Sequence, residues 1–329
     1  MALRWGFLGP GRIAGTVAAD LALVDGATPL AVASRSIDRA RAFAGEFGFE
    51  RAYGSYDELL VDPEVDVVYI ATPHAQHHAV TSAVLAAGKP ALVEKAFTCT
   101  LPAATDLVAQ ARAAHVFMME AMWTRFVPNV VRLRELLADG VVGQVRQVHA
   151  DLGFVGPSDP ADRLWDPAQG GGAMLDLGVY PVSFAQMVLG TPTSAQVTGT
   201  LTPAGVDSEA GMLLAYPGGE LALLSCTLLG ASPGRALIVG TEGRIVIDPR
   251  FHHPHRFVVQ REGRPDELVE LEPTGRGYAH ELQEVDRCIA AGLTESPAMP
   301  LDDTLSVMSV LDDALTQLGA VHADEGFPG

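Results

Sequence analysis

Residues 4–15 read RWGFLGPGRIAG, and the reading of this stretch decides the fold. Leu3, Phe7 and Leu8 form a short buried strand, Gly9-Pro10-Gly11-Arg12-Ile13-Ala14 a GxGxxA turn, and Ile13, Val17, Ala18 and Leu21 one apolar stripe on the helix that follows. In a strand–turn–helix unit of this kind Gly9 gives the tight turn, Gly11 lets the backbone approach a pyrophosphate, and small Ala14 lets helix and strand pack closely. The phosphate charge then lies at the helix N-terminus, where unpaired N–H groups and the helix dipole favour an anion. A dinucleotide is the expected guest, with Arg12 and Ile13 beside it. Glycine turns also occur with nothing bound, so the rest of the chain must decide.

The totals narrow the classes. A chain of 329 residues is long for one domain, and the expected division is a dinucleotide-binding domain over 1–120 and a substrate-binding and oligomerisation domain over 121–329. Lys and Arg number 22 against 40 Asp and Glu, and a net charge of -18 repels nucleic acid and anionic membranes alike. The first strand begins within a few residues, leaving no room for a signal segment, and no later run is read as long and apolar enough for a bilayer; the expected location is the cytoplasm. Cys99, Cys226 and Cys288 are scattered without CxxC spacing and read as buried, reduced thiols, and no metal is expected.

Pro29 to Ala33 is a second strand, ending in Ser34-Arg35-Ser36, 20 residues after Ala14. An Asp or Glu here would bind the adenosine ribose of NAD, and there is none. A small hydroxyl at Ser34 with the guanidinium groups of Arg35 and Arg39 suits a 2'-phosphate, so the expected cofactor is NADP(H) in preference to NAD(H). Arg41 reads as the solvated face of a helix over 37–47. Ser55-Tyr56-Asp57-Glu58 is a capping box, and Val65 to Ala71 is a continuous apolar strand of the kind a parallel sheet buries on both faces. It stops at Thr72-Pro73-His74, which a parallel sheet would turn toward the cofactor, with His77 opening the next helix. The strand 91–93 ends in Glu94-Lys95. A lysine at the carboxyl end of a buried parallel strand is placed for hydrogen bonding or proton transfer, although an ordinary surface lysine fits the position equally well. A helix over 100–114 and a strand over 116–119 complete an alternating α/β pattern.

Beyond residue 139 the texture changes. Strand-like segments at 143–154, 193–202, 208–216, 220–228, 235–240, 244–248, 256–260 and 267–271 follow one another, with the hairpin signal Tyr216-Pro217-Gly218-Gly219-Glu220 the clearest turn. This is an α+β domain with a large, mostly antiparallel sheet whose open face would carry a homodimer or homotetramer contact. Between the strands stands GGGAMLDLGVYP, residues 170–181, whose Asp176 and Tyr180, four apart on a helix, would share a face. His252, His253 and His255 lie in a proline-broken loop and are set aside as a metal site.

Together these motifs resemble the glucose-fructose oxidoreductase, inositol dehydrogenase and MocA family over essentially the whole chain. The resemblance rests on Gly9 to Ala14, Thr72-Pro73 with His77, Glu94-Lys95, and GGGAMLDLGVY. The stretch Met119 to Phe126 and the tyrosine at 180 are most similar to its dimeric dihydrodiol dehydrogenase and sugar 1-dehydrogenase branch. Two departures stand out: Ala96 where most members carry proline, and Tyr180 where many carry histidine. The resemblance implies hydride transfer between NADP(H) and a carbinol or carbonyl of a sugar, cyclic polyol or trans-dihydrodiol. Tyr180 is then the acid/base, Lys95 the charge that stabilises its phenolate and the reacting oxygen, and Asp176 the residue that orients substrate hydroxyls or tunes the pair. Trp123, Arg125, Phe154, Trp165 and Tyr278 are candidates for the substrate wall. The same residues run backwards give an NADPH-dependent reductase of a keto-sugar or anhydrofructose, and a silent NADP-binding sensor is the non-enzymatic alternative.

Overall fold

A computed structural model describes residues 3–320, 322–324 and 326–327. It falls into two compact units, the first within Met1–Phe126, Thr274–Thr304 and Asp324–Gly329, the second within Val127–Pro273 and Leu305–Ala323.

In the first unit strands and helices alternate: β1 (Arg4–Leu8), α1 (Arg12–Leu21), β2 (Thr28–Ala33), α2 (Ile37–Phe47), β3 (Arg51–Tyr53), α3 (Tyr56–Leu60), β4 (Val67–Ile70), α4 (His77–Ala86), β5 (Ala91–Glu94), α5 (Leu101–Ala114) and β6 (Met118–Ala121). The strands form one parallel sheet in the order β3-β2-β1-β4-β5-β6, so the order reverses between β1 and β4, beside the Gly9 turn. Every residue of β4, β5 and β6 is buried, which is why these strands read as apolar runs broken only by Glu94 and Glu120. Local chemistry sets the helix starts. Ser36 Oγ accepts from Arg39 N, Thr100 Oγ1 from Ala103 N, and Ser55 Oγ from Glu58 N at 3.3 Å while Glu58 Oε2 accepts from Gly54 N at 2.8 Å.

The second unit opens with α6 (Pro128–Ala138) and β7 (Val145–Gly153). A π-turn over Met174–Gly178 leads into α7 (Val179–Leu189), and the chain continues as β8 (Ser194–Leu201), β9 (Asp207–Ala215), β10 (Leu221–Thr227), β11 (Ala236–Gly240), β12 (Gly243–Ile247), β13 (Arg256–Arg261) and β14 (Glu267–Glu270). All eight strands lie within two residues of the sequence-based bounds. They make one sheet, β14-β13-β12-β11-β7-β10-β9-β8, antiparallel at every pairing except β7 with β10. α7 packs on β7 and β10 and covers one face, and burial alternates along β10, with Ala222, Leu224 and Cys226 turned inward.

Two C-terminal helices follow, α8 (Ala279–Ala290) and α9 (Leu301–Leu318). α8 belongs to the first unit, against α1, and there Asp20 accepts from the backbone N–H groups of Arg276, Tyr278 and Ala279 at the helix start. The later part of α9 runs along β8, whose Val197 N donates to Gln317 Oε1 at 3.0 Å. One run does reach bilayer length, against the sequence reading: Pro167–Leu189 is 23 residues long and sufficiently apolar. Of its most apolar 18-residue window 72% is buried within the protein, as in a core helix. Cys99, Cys226 and Cys288 are all buried.

Candidate active site

The glycine turn is shaped by what surrounds it. Gly9 has φ +88, and a Cβ there would lie 2.9 Å from Ala71 O at the end of β4. A Cβ on Gly11 would meet no atom within 4 Å, so the space above this residue is open. Gly11 caps α1 without a side-chain hydrogen bond and no acidic residue lies in the first turn, leaving the helix N–H groups free for an anion. Ala14 is fully buried, Ile13 half-buried and Arg12 exposed. At the end of β2, Ser34 is buried and its Oγ accepts from Ser36 N at 3.3 Å. Arg35 and Arg39 are exposed, and Arg39 Nη2 donates to Pro10 O at 3.4 Å, which sets its guanidinium on the glycine turn. Burial raises the Tyr56 phenol, while the charges of Arg35 and Arg39 pull it down, so both arginines share this corner. An open turn, an uncapped helix start and two cations beside a buried serine fit the pyrophosphate and 2'-phosphate of a dinucleotide.

Further along the same sheet edge, His77 ties two loops together. It is fully buried, with Nε2 2.9 Å from Thr72 O and Nδ1 2.9 Å from Ala96 O. Burial holds its pKa below the usual histidine value, against the raising effect of these carbonyls. His74 Nε2 lies 3.2 Å from Lys95 O, and the Lys95–Ala96 peptide is cis. Pro73 precedes the short 3-10 turn His74–Gln76, and Thr72 Oγ1 is buried with no hydrogen-bond partner among the described residues. Lys95 itself is half-buried.

Behind Lys95 lie three carboxyls: Glu94, which the sequence pointed to, and Glu120 and Glu281, which it did not. Glu94 accepts from the Tyr69 hydroxyl and from Lys95 N. Glu120, opposite Val93 in the β5–β6 register, is fully buried and pushed up to about 7 by burial, against the lowering effect of the Thr304 hydroxyl and of the charges of Arg125 and Lys95, with Glu94 adding to the rise. Glu281, in the first turn of α8, is fully buried and held well above the carboxylate range, first by burial and then by Glu94. Neither Glu281 oxygen has a hydrogen-bond partner among the described residues. For Glu120 the signal was an acidic residue within an otherwise apolar strand; Glu281, on α8, gave none.

In the second unit the glycine run leads into the π-turn. Gly172 has φ +114, and any Cβ there would collide with Asp207 Oδ1. Asp207, fully buried, accepts from Met174 N at 2.5 Å and so fixes the start of the turn. Asp176 and Tyr180 therefore do not sit on one continuous α-helix: Asp176 belongs to the π-turn and Tyr180 to α7. Asp176 Oδ1 accepts from Arg163 Nη2 at 3.0 Å, a partner the sequence did not indicate. Tyr180 is 9% exposed, and its ring centroid lies 5.0 Å from that of His252.

The aromatic candidates separate into two groups. Trp123 and Tyr278, both in the first unit, stack with centroids 4.4 Å apart and planes 22° from parallel. Beside them Arg125 is 2% exposed and its Nη1 donates to Asp303 Oδ2 at 2.6 Å, the position of a structural anchor. Phe154 and Trp165 lie in the second unit; Phe154 is 40% exposed, and Trp165 Nε1 donates to Pro157 O at 2.8 Å.

Comparison with known proteins bears on this geometry. Residues 3–122 match an oxidoreductase family with an NAD-binding Rossmann fold, and residues 130–246 match the GFO/IDH/MocA C-terminal domain. Trans-1,2-dihydrobenzene-1,2-diol dehydrogenase from Mus musculus is 36% identical over 334 residues, covering 99% of each chain, and that of Danio rerio 37% identical with the same coverage. The chain belongs to the Gfo/Idh/MocA oxidoreductase family. Its homologues are named dehydrogenases, and an NAD(P)-dependent dehydrogenase is supported. Among solved structures, KijD10, a 3-ketoreductase from Actinomadura kijaniata in complex with NADP and TDP-benzene, is 28% identical with a TM-score of 0.84 and full coverage of both chains. Aldose-aldose oxidoreductase from Caulobacter crescentus, 24% identical with a TM-score of 0.87 over 97% of this chain and 98% of its own, shares the fold.

Proposed function

We propose that this family member uses NADP(H) to interconvert a secondary alcohol and a carbonyl on a sugar, cyclic polyol or trans-dihydrodiol. The observation that carries the cofactor half is the end of β2, where Ser34, Arg35 and Arg39 replace the acidic residue of an NAD site and Arg39 reaches the glycine turn. When bound, the cofactor would supply the hydride acceptor for oxidation and the hydride donor for reduction. Gly9, Gly11, Arg12, Ile13 and Ala14 hold the pyrophosphate at the start of α1. Thr72, Pro73, His74 and His77, with Glu94 and Lys95, shape the loops at the carboxyl ends of β4 and β5 for the nicotinamide half.

In oxidation, Tyr180 takes the hydroxyl proton as the C–H bond gives up its electron pair as hydride; in reduction it returns that proton. A free phenol has a pKa of about 10, so this step needs a cation, the part assigned to Lys95. Asp176, held by Arg163, orients substrate hydroxyls. Trp123 and Tyr278 supply an aromatic surface for the ring of the substrate. KijD10 is a 3-ketoreductase, which favours a second reading, reduction of a keto-sugar with NADPH, by the same residues in reverse.

We place the activity in the cytoplasm and in a homodimer or homotetramer assembled through the open face of the eight-stranded sheet. There Leu213 and Leu223, opposite one another in register, are 39% and 42% exposed. A monomeric mass by sedimentation at micromolar concentration contradicts that assembly. The function is tested by a panel of aldoses, inositols, anhydrosugars and trans-dihydrodiols assayed with NADP and NAD at the absorbance of the reduced nicotinamide. Turnover with NADP well above NAD is expected; equal use of both overturns the Arg35 argument, and NADP binding without turnover in either direction favours the sensor.

A further inference from the structure

We propose that His252 is a positioning residue for Tyr180, its imidazole holding the phenol at the angle that proton transfer requires. The inference rests on the reading of Tyr180 as the acid/base. The two rings lie 5.0 Å apart at 47°, within the range where aromatic pairs attract beyond simple burial. The contact is one rung of two. Phe184, one helical turn beyond Tyr180 on α7, meets Phe251 edge-on at 5.5 Å and 73°. Consecutive rings of the loop thus engage two rings on one face of α7.

The loop is fastened far beyond what a surface connection needs. Phe251 is fully buried, and its N–H donates to Gly234 O at 2.9 Å. Arg250, just before it, sits at φ +70, a left-handed conformation that non-glycine residues rarely adopt and that persists where surrounding structure enforces it. His253 N donates to Arg250 O at 2.7 Å. On the far side Asn129 of α6, itself fully buried, donates to Pro254 O at 3.0 Å and His255 O at 3.1 Å. With Phe251, His253 and Pro254 buried, the loop is fixed on both sides of His252, and it carries that ring against Tyr180. A tyrosine that must present its hydroxyl to a reacting oxygen loses rate when its ring swings, and a neighbouring ring limits that swing.

The test compares His252→Ala and His252→Phe, each alone and in a Tyr180→Phe background, with the fastest substrate of the panel and NADP. Thermal midpoints and NADP dissociation constants are measured alongside. His252→Ala is expected to lower kcat about tenfold while KM and NADP affinity stay within about twofold, and His252→Phe, which keeps a ring, to stay within about threefold of the parent kcat. On the residual rate of Tyr180→Phe, His252→Ala is expected to cost nothing more. An unchanged kcat in His252→Ala, an equal loss in His252→Phe, or the same loss in both backgrounds overturns the proposal. Full turnover in Tyr180→Phe alone instead overturns the acid/base reading on which it rests.

Discussion

The parallel sheet of the first unit carries two groups of charged residues at its carboxyl edge, and they are built in opposite ways. At the end of β2, Arg35 and Arg39 stand exposed beside an open glycine turn and a helix start with no side-chain cap. Behind the end of β5, Glu94, Glu120 and Glu281 are sealed from water, and burial drives Glu120 and Glu281 toward the protonated form. An exposed cation keeps its charge for a ligand, whereas a buried carboxyl holds a proton at a cost to stability once the solution is basic enough to remove it. The first arrangement suits recognition of an anion; the second keeps protons inside the sheet edge beside Lys95.

The largest effect expected from breaking this contrast is at Glu120. Its folded value of about 7 lies above the unfolded one, so its contribution is fully present below about pH 4.5 and is lost as pH rises through 7. Glu120→Gln removes that loss. Urea unfolding is expected to show the variant more stable than the parent by on the order of 3 kcal/mol at pH 8, with little difference at pH 4. The same difference at both values would remove Glu120 from the account.

A smaller effect is expected at the exposed end. Arg35→Ala with Arg39→Ala is expected to raise KM for NADP about ten- to a hundredfold, leave KM for NAD within about twofold and hardly move the thermal midpoint, since both guanidinium groups are exposed. Equal losses for both cofactors would show that these arginines read the pyrophosphate and not the 2'-phosphate.

The contrast also separates what was legible in the sequence. The glycine turn, the missing acidic residue after β2, and every strand of the large sheet are written locally, in apolar runs and in turns such as Tyr216 to Glu220, where Tyr216 N donates to Glu220 O. β3 was passed over because Arg51-Ala52-Tyr53 is too short to show a period. The buried carboxyls were hidden because Glu281 comes beside β5 only through the return of α8, which Asp20 holds from far away in sequence. The π-turn was hidden for the same reason: the residue that takes Met174 N is Asp207, on a strand that begins only after α7 and β8. Asp176 likewise found its partner in Arg163 rather than in its own helix.

The central claim is that Tyr180 moves the proton and Lys95 makes this possible, with cofactor affinity set mainly by the glycine turn and by Ser34, Arg35 and Arg39. Tyr180→Phe and Lys95→Met, titrated with NADP by quenching of intrinsic fluorescence and then assayed for turnover, test it most directly. Both variants are expected to bind NADP within about threefold of the parent and to lose about a hundred- to ten-thousandfold in kcat. Turnover retained in both variants would contradict the account.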